Sequence, residues 1–160
     1  MTQMNYVKRI GLDTYRIQNR GGKGIKGMQT REEDVVTKLF LSSNHSYLLY
    51  FTDMGRVYRT KTYNIPEAGR TAKGTPVVNI IEKSPEEKIS EIIPVKEFSD
   101  NEYLVMVTKN GVIKKTPASE YESIRKSGKI AITLKEGDEL ISIFKTTGND
   151  NSFLATRDGM

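Results

Sequence analysis

The chain is 160 residues long, enough for one domain with a buried core, and it carries a net charge of +5. It contains no cysteine, which excludes disulfide scaffolds and thiolate metal sites. The single histidine, His45, has no second ligand near it in the sequence and is predicted to be a solvent-facing loop residue. The apolar runs, such as those around residues 77–81 and 130–134, are far shorter than the roughly 20 residues that a membrane span needs. With no apolar signal segment at the N-terminus, the sequence predicts a cytoplasmic protein that does not contact a membrane.

The charge changes sign along the chain with a wavelength near 50 residues. Net charges of successive segments are +6 for residues 1–31, −3 for 32–55, +4 for 56–75, −4 for 76–102, +4 for 103–130 and −2 for 131–160. A basic protein of random sequence is not expected to oscillate in this way. The pattern therefore predicts an internal repeat.

The first element, NYVKRI at residues 5–10, aligns with the second arm of a strand–turn–strand signal that recurs along the chain. The recurrences read YLLYFTDMGRVYRT, YLVMVTKNGVIKKT and FLATRDGM, and their turn glycines are Gly55, Gly111 and Gly159. Asp or Asn precedes each glycine within two residues, which is the chemistry of a tight hairpin that needs positive φ. We therefore predict a β-hairpin at each of these positions.

Two further blocks follow each hairpin. One is a basic glycine turn, RGGKGIKGM, RTAKGTPVVNII and IRKSGKIAITL, in which Gly24, Gly74 and Gly128 coincide. The other is an acidic turn before an apolar strand, and recurrence at one repeat position favours solvated turns over acid/base pairs for carboxylates such as Glu86 and Glu87.

A unit of hairpin, basic glycine turn, strand, acidic turn and strand has four strands in about 50 residues, which is typical of a propeller blade. The sequence thus predicts an all-β, propeller-like domain of about three repeats in an incomplete ring. The repeats are residues 1–46 (first unit), 47–101 (second unit) and 102–150 (third unit), and residues 151–160 begin a further blade. An ordinary β-sandwich with chance internal similarity is the alternative.

The first basic turn, QNRGGKG at residues 18–24, admits a phosphate-binding nucleotide loop as a competing interpretation. Such a loop requires G-x-x-x-x-G-K-[ST] between a strand and a helix. Here Gly24 stands in the hydroxyl position, Ile17 stands where the first glycine belongs, and no amphipathic helix follows. A nucleotide site is therefore disfavoured.

Cations at one blade position of a curved array would lie along one rim. Such a row suits the regularly spaced phosphates of duplex DNA, which it can bind and bend without reading bases, although charge alone leaves RNA open. The residues predicted to bind DNA in the three turns are Gln18, Asn19, Arg20, Gly21, Gly22, Lys23, Gly24, Lys26, Arg70, Lys73, Arg125, Lys126 and Lys129.

A second basic set lies on the outgoing hairpin arms: Lys8, Arg9, Arg59, Lys114 and Lys115. Alternation along a strand allows only one of two adjacent residues to point to a given face. DNA contact and ordinary protection of an edge strand by charge are equally good interpretations of this set. Four tyrosines are predicted to pack rather than to contact phosphate, namely Tyr6, Tyr15, Tyr63 and Tyr121.

Residues 18–24, between YVKRIGLDTYRI and IKGM, resemble the gyrase-A box of the C-terminal domains of DNA gyrase A subunits, and the resemblance extends over essentially the whole chain. The family box usually reads Q-R-R-G-G-K-G, so Asn19 replaces an arginine here. The resemblance implies a β-pinwheel, a propeller variant whose blades exchange strands, that wraps DNA around its rim. In the family this wrapping allows the ATP-driven enzyme to introduce negative supercoils.

The resemblance further implies that the nucleophilic tyrosine, the ATP site and the magnesium site lie on parts of the enzyme outside this chain. The chain would then have no catalytic residue, metal or cofactor of its own, and its partners would be double-stranded DNA, the rest of the gyrase A polypeptide and the gyrase B polypeptide. The alternatives are the C-terminal domain of a topoisomerase IV and a propeller-like protein-interaction scaffold. Because FLATRDG and NYVKRI are complementary halves of a hairpin, two copies are also hypothesised to close a six-bladed ring.

Overall fold

The structure is a computed structural model that describes residues 1–2, 6–10, 45–68 and 74–147. The described residues form short strands and single turns of 3₁₀ helix, which agrees with the all-β prediction. The strands are β1 (Tyr6–Val7), β2 (Tyr47–Thr52), β3 (Arg56–Lys61), β4 (Thr75–Pro76), β5 (Ile89–Val95), β6 (Glu102–Thr108), β7 (Ile113–Pro117), β8 (Lys129–Ile130) and β9 (Leu140–Thr147). The 3₁₀ turns cover Thr62–Asn64, Val77–Asn79 and Ala118–Tyr121.

The predicted hairpins are confirmed at Gly55 and Gly111. The strand pairs β2–β3 and β6–β7 are antiparallel, and both glycines have positive φ, 81° and 88°. The glycine N–H closes a four-residue turn by donating to the carbonyl of Thr52 or Thr108, at 3.0 Å in each hairpin. The third predicted hairpin, at Gly159, lies outside the described residues.

The two-residue strands that follow the glycine turns are exchanged between units. Strand β8 of the third unit pairs with β3 of the second unit, with Ile130 opposite Arg56. Strand β4 of the second unit pairs with β1 of the first unit in the corresponding register, with Pro76 opposite Tyr6. One sheet therefore has the order β5-β2-β3-β8, with its last strand donated by the next unit. This exchange is the arrangement that the β-pinwheel resemblance implies.

Strand β2 is buried on both faces, which explains why its sequence YLLYFT is apolar almost throughout rather than alternating. On one face, Leu49 and Phe51 pack in a cluster with Leu104, Met106 and Ile143 of the β7-β6-β9 sheet. On the other face, Leu48, Tyr50 and Tyr58 form a second cluster with residues that include Val7 of the first unit and Val77. Each sheet of the array thus stabilises its neighbours.

Strand β7 lies at an edge of the described sheets, where it pairs with β6 alone. Its residues Ile113, Lys114 and Lys115 are exposed, and Ile113 exposes 57% of its surface. Among the described residues, no helix is long and apolar enough to cross a membrane. The repeat boundaries at residues 46, 101 and 150 stay predictions.

Candidate nucleic-acid interface

Of the three basic glycine turns, the structure describes the one of the third unit in full, and its segment from Glu122 to Gly128 is here called the basic loop. It follows Tyr121, whose ring is buried and packs edge to face on Phe51 with centroids 5.8 Å apart. It ends where β8 begins to pair with β3. The loop is therefore fixed at both ends to the sheet of the preceding unit.

Gly128 closes the loop against an aromatic side chain. Its φ is +86°, and a Cβ at this position would come within 2.7 Å of the Tyr58 ring. Gly74, the corresponding glycine of the second unit, has nearly the same φ, 88°. The shared glycine of the basic turns is thus a conformational requirement, and at Gly128 it is also a steric one.

The Tyr58 hydroxyl in turn donates a hydrogen bond to Glu87 Oε1 at 2.7 Å. Glu87 is only 3% exposed, so the prediction that both carboxylates of this acidic turn are solvated is wrong for Glu87, although Glu86 is exposed. Burial raises the pKa of Glu87, but hydrogen bonds from Tyr58, Thr52 and Ser84 outweigh it, and the pKa lies below its ordinary value. The carboxylate is a structural acceptor beneath the basic loop.

The tip of the basic loop carries Arg125 and Lys126, and both are exposed. The loop backbone is held from the side of β3: the Arg56 guanidinium donates to the Ser127 carbonyl at 2.6 Å, and the Arg59 guanidinium donates to the Glu122 carbonyl. Two cations are thus presented to solvent on a segment whose backbone is bound at two points. A fixed pair of cations can bind phosphate with less loss of conformational entropy than two cations on a free loop.

Lys129, the third predicted cation of this turn, is already engaged. Its ammonium donates to the Glu120 carbonyl at 2.8 Å and lies 3.9 Å from the Glu120 carboxylate. Lys129 is therefore near Arg125 and Lys126 in sequence, but its positive charge is paired with Glu120. Its predicted role in DNA binding stays a prediction.

The outgoing-arm cations show the alternation expected of strands. Tyr58 points into the core, while its neighbour Arg59 lies over the rings of Tyr47 and Phe98, with 5.0 and 5.9 Å from its guanidinium carbon to the centroids. In the third unit, Lys115 lies 4.4 Å from the centroid of Tyr103.

Two other arm cations donate to backbone carbonyls. Lys114 donates to Ala131 at 3.0 Å, and Arg9 Nε donates to Ile65 at 3.0 Å. Burial lowers the pKa of Lys8. The arm residues therefore make structural contacts, and their contact with DNA stays a prediction.

The prediction that the four tyrosines pack in the core holds for some of them and not for others. Tyr121 packs in the core as expected, but Tyr63 is 54% exposed, so the packing prediction is wrong there. Ile65, which directly follows that 3₁₀ turn, is buried at the unit position that Tyr121 occupies in the third unit. Tyr6 is half-buried, and Tyr15 lies outside the described residues. His45 is exposed as predicted.

The remaining predicted DNA-binding residues, 18–24, Lys26, Arg70 and Lys73, lie outside the described residues. In the described ranges, no group of three or more His, Cys, Asp or Glu side chains could hold a metal ion. Sequence reasoning missed Arg56 as a contributor to this site. Its position next to a turn glycine gave no signal, because its acceptor lies 71 residues away.

Most of the chain matches a known family. The family model "DNA gyrase C-terminal domain, beta-propeller" matches residues 1–43, 46–96 and 102–147. The chain belongs to this family. A solved C-terminal domain of DNA topoisomerase IV aligns over 92% of this chain and 45% of its own, with TM-score 0.76 and 28% identity. A solved DNA gyrase A C-terminal domain, at 24% identity and TM-score 0.71 over 92% of this chain and 47% of its own, shares the fold.

Two curated relatives of this chain are DNA gyrase A subunits. The one from Clostridium acetobutylicum is 50% identical over all 160 residues, and the one from Halalkalibacterium halodurans is 47% identical over the same length. In both cases the chain spans 19% of the relative's length. The match to gyrase A subunits supports the gyrase resemblance of the sequence, and topoisomerase IV is not better supported.

Proposed function

We propose that this chain is the DNA-binding and DNA-wrapping module of a gyrase A polypeptide, and that its basic turns bend duplex DNA around the rim. The observation that carries the proposal is the exposed pair Arg125 and Lys126 at the tip of a backbone-anchored glycine turn. The corresponding glycine turns hold Arg20 and Lys23 in the first unit and Arg70 and Lys73 in the second, with the cations four and one positions before the shared glycine rather than three and two. Cations repeated at one position of a repeat array suit the regular spacing of phosphates and require no base-specific contact.

The binding step is tested by measuring duplex affinity over a range of salt concentrations. Each phosphate contact contributes about 0.9 to the slope of log K against log salt concentration. Replacing Arg125 and Lys126 together by alanine is therefore expected to weaken binding and to make the negative slope shallower by about 2. The matched control is Lys96→Ala with Lys135→Ala, which removes two cations outside the glycine turns. An equal effect of the two double variants would show that only total charge matters.

The wrapping step is tested with a relaxed circular plasmid. The plasmid is incubated with the chain, treated with a relaxing topoisomerase and freed of protein. A wrapped segment leaves a changed linking number, and the Arg20→Ala, Lys23→Ala variant is expected to leave less change. Unchanged linking number in spite of tight binding would contradict wrapping and leave simple binding.

In the whole enzyme, we propose that this module acts with the rest of the gyrase A polypeptide and with the gyrase B polypeptide in the cytoplasm, close to the nucleoid. ATP and magnesium would act on those other parts, and this chain would supply no catalytic residue. Assembled enzyme with Arg20→Ala and Lys23→Ala is expected to lose negative supercoiling while it keeps decatenation, because only the first reaction depends on wrapping. Equal loss of both reactions would point to a structural defect or to a topoisomerase IV-like role.

The closed ring of two copies is a separate proposal, based on the complementary half-hairpins FLATRDG and NYVKRI. Of these two segments, residues 6–10 are described, whereas residue 5 and residues 153–159 lie outside the described residues. Analytical ultracentrifugation is expected to show a dimer at high protein concentration. A monomer at every concentration would contradict the ring.

A further inference from the structure

Two arginines on outgoing hairpin arms have the same partner type. Arg9 Nε donates to the Ile65 carbonyl, and the Arg59 guanidinium donates to the Glu122 carbonyl. Arg9 belongs to the first unit and its acceptor to the second, while Arg59 belongs to the second unit and its acceptor to the third. In both units the acceptor lies just after a 3₁₀ turn, at the start of the segment that leads to the basic glycine turn.

We infer that Arg9 and Arg59 are positioning residues that anchor the glycine-turn segment of the following unit, rather than cations that contact DNA phosphate. The inference deepens the proposed function, on which its effect on DNA affinity rests. It also reinterprets two residues that charge alone places in the DNA-binding set. Their contribution to affinity passes through the loop that they hold.

The surroundings of Arg59 favour anchoring. Its guanidinium is bound to a carbonyl and lies over the rings of Tyr47 and Phe98. A guanidinium with its face on aromatic rings and a donor on a carbonyl has exchanged part of its hydration for fixed protein contacts. Turning it to phosphate would break these contacts.

The surroundings of Arg9 lead to the same conclusion by a different route. Its backbone is joined to the segment that it anchors, because its N–H donates to the Pro66 carbonyl at 3.3 Å and its carbonyl accepts from the Ala68 N–H at 3.1 Å. Its guanidinium also lies 3.9 Å from the Glu67 carboxylate, which offsets its positive charge. Main chain and side chain of Arg9 therefore hold one segment.

The third unit carries a lysine at the corresponding arm position. Lys115, at the place of Arg59, lies over Tyr103 and has no carbonyl partner within the described ranges. The aromatic contact is thus common to both arms. Within the described ranges, Arg9 and Arg59 add a hydrogen bond to a carbonyl of the following unit.

The test is a double-mutant cycle combined with amide hydrogen exchange, both on the 160-residue chain. Arg59→Ala is made alone and together with Arg125→Ala and Lys126→Ala. Lys61→Ala is the matched control, because Lys61 also lies over Tyr47, 3.6 Å from its centroid, and carries the same charge. Duplex affinity is measured for every variant, and exchange of residues 123–128 is measured without DNA.

If Arg59 anchors the loop, Arg59→Ala speeds amide exchange of residues 123–128 about tenfold in the free protein, whereas Lys61→Ala does not. Arg59→Ala then weakens duplex binding about tenfold in the wild-type background and about twofold or less when Arg125 and Lys126 are already alanine, as coupled residues do. An equal fold-loss in both backgrounds, with unchanged exchange, would overturn the inference in favour of a direct phosphate contact.

The experiment distinguishes failure of the inference from failure of the proposed function and from failure of a variant to fold. If the unmodified chain does not bind duplex DNA, the proposed function fails, but the exchange measurement still decides whether Arg59 anchors the loop. If Arg59→Ala does not fold, Arg59→Met decides, because it keeps an unbranched stem beside Tyr47 but has no group that can donate a hydrogen bond to the Glu122 carbonyl. Faster loop exchange in Arg59→Met supports anchoring, and wild-type exchange overturns it.

Discussion

The hairpins β2–β3 and β6–β7 are two copies of one local design in different surroundings. In each, a glycine N–H donates to a threonine carbonyl, and the same threonine hydroxyl accepts the N–H four residues later, at 3.3 Å from Arg56 and 3.0 Å from Val112. The turn of the second unit is covered: the Gly55 carbonyl accepts the N–H groups of Ala131 and Ile132 at 2.8 and 3.2 Å. The turn of the third unit is exposed at Gly111. Identical local chemistry therefore acquires different sensitivity from the strand that the next unit donates.

The largest expected difference is at the turn glycines. Alanine at positive φ costs roughly 1–2 kcal/mol wherever it stands. At Gly55 a Cβ would also lie 2.4 Å from the Ile132 carbonyl oxygen, whereas at Gly111 it would meet no atom of the described residues within 4 Å. We expect Gly55→Ala to lower the free energy of unfolding by at least about 3 kcal/mol and Gly111→Ala by about 1 kcal/mol, measured by urea unfolding. Equal losses would show that the exchanged strand does not tighten the turn.

The next difference is in how stability depends on alkaline pH. It arises because Tyr50 in β2 can ionise, whereas its counterpart in β6, Met106, cannot. Burial raises the pKa of Tyr50 to about 12 from 10.0, even though its hydroxyl shares a 3.0 Å hydrogen bond with Thr60. Because the unfolded chain ionises first, this contribution to stability is complete below pH 10 and is lost as pH rises toward 12.

We expect Tyr50→Phe to remove about 1.4 kcal/mol per pH unit from the alkaline fall of the unfolding free energy. The measurement is urea unfolding between pH 9 and 11.5, analysed as the slope of the unfolding free energy against pH. This slope should correspond to the release of about one proton fewer on unfolding in the variant. Tyr58 and Tyr121, whose pKa values are also raised, leave a residual slope. The same slope in both proteins would contradict the assignment to Tyr50.

A smaller effect is expected where Tyr58 of β3 corresponds to Lys114 of β7. Tyr58→Phe removes a buried donor to Glu87 and should cost about 1–2 kcal/mol, whereas Lys114→Met, which removes the hydrogen bond of an exposed lysine to the Ala131 carbonyl, should cost only about 0.5 kcal/mol. Because the folded pKa of Glu87 is lowered, its contribution to stability is present above its ordinary pKa of 4.5 and is lost as pH falls through the folded pKa.

Tyr58→Phe should therefore also reduce the loss of stability below pH 4.5, followed by unfolding at decreasing pH. Glu87→Gln is the control that removes this titration altogether. If the unfolding free energy falls equally with decreasing pH in wild type, Tyr58→Phe and Glu87→Gln, other carboxylates cause the acid sensitivity. Asp138, whose pKa is also lowered, is the first of these.

The smallest effect is expected at Lys115, whose ammonium lies over Tyr103 on the exposed arm. An exposed cation–π contact contributes about 0.5–1 kcal/mol, so Lys115→Ala should lower the unfolding free energy by about 0.5 kcal/mol. Arg59→Ala, which also breaks a hydrogen bond to Glu122, should cost at least about twice as much. Thermal and urea unfolding of both variants compare the two arms directly, and equal costs would argue that the carbonyl contact adds nothing.

The success of sequence reasoning was highest where the signal is local. Gly55 and Gly111 with their neighbouring Asp53 and Asn110 predict the hairpins, because a tight turn of positive φ needs those residue types. It failed at Glu87, since the sequence of an acidic turn is the same whether or not a tyrosine from a distant strand, here Tyr58 of β3, reaches its carboxylate. It failed also at Tyr63, where the buried position of the unit is filled by Ile65.

The sequence by itself determined the repeat, the hairpins, the glycine turns and the alternation of charge, because each depends on residue type and spacing within about 50 positions. Only the tertiary structure decided which unit receives each short strand and which cations keep their charge exposed. Strand exchange joins residues more than 60 positions apart, as between Arg59 and Glu122. It turns Arg59 toward a carbonyl and leaves Arg125 and Lys126 in solvent, and a linear pattern of basic residues contains no information about that division.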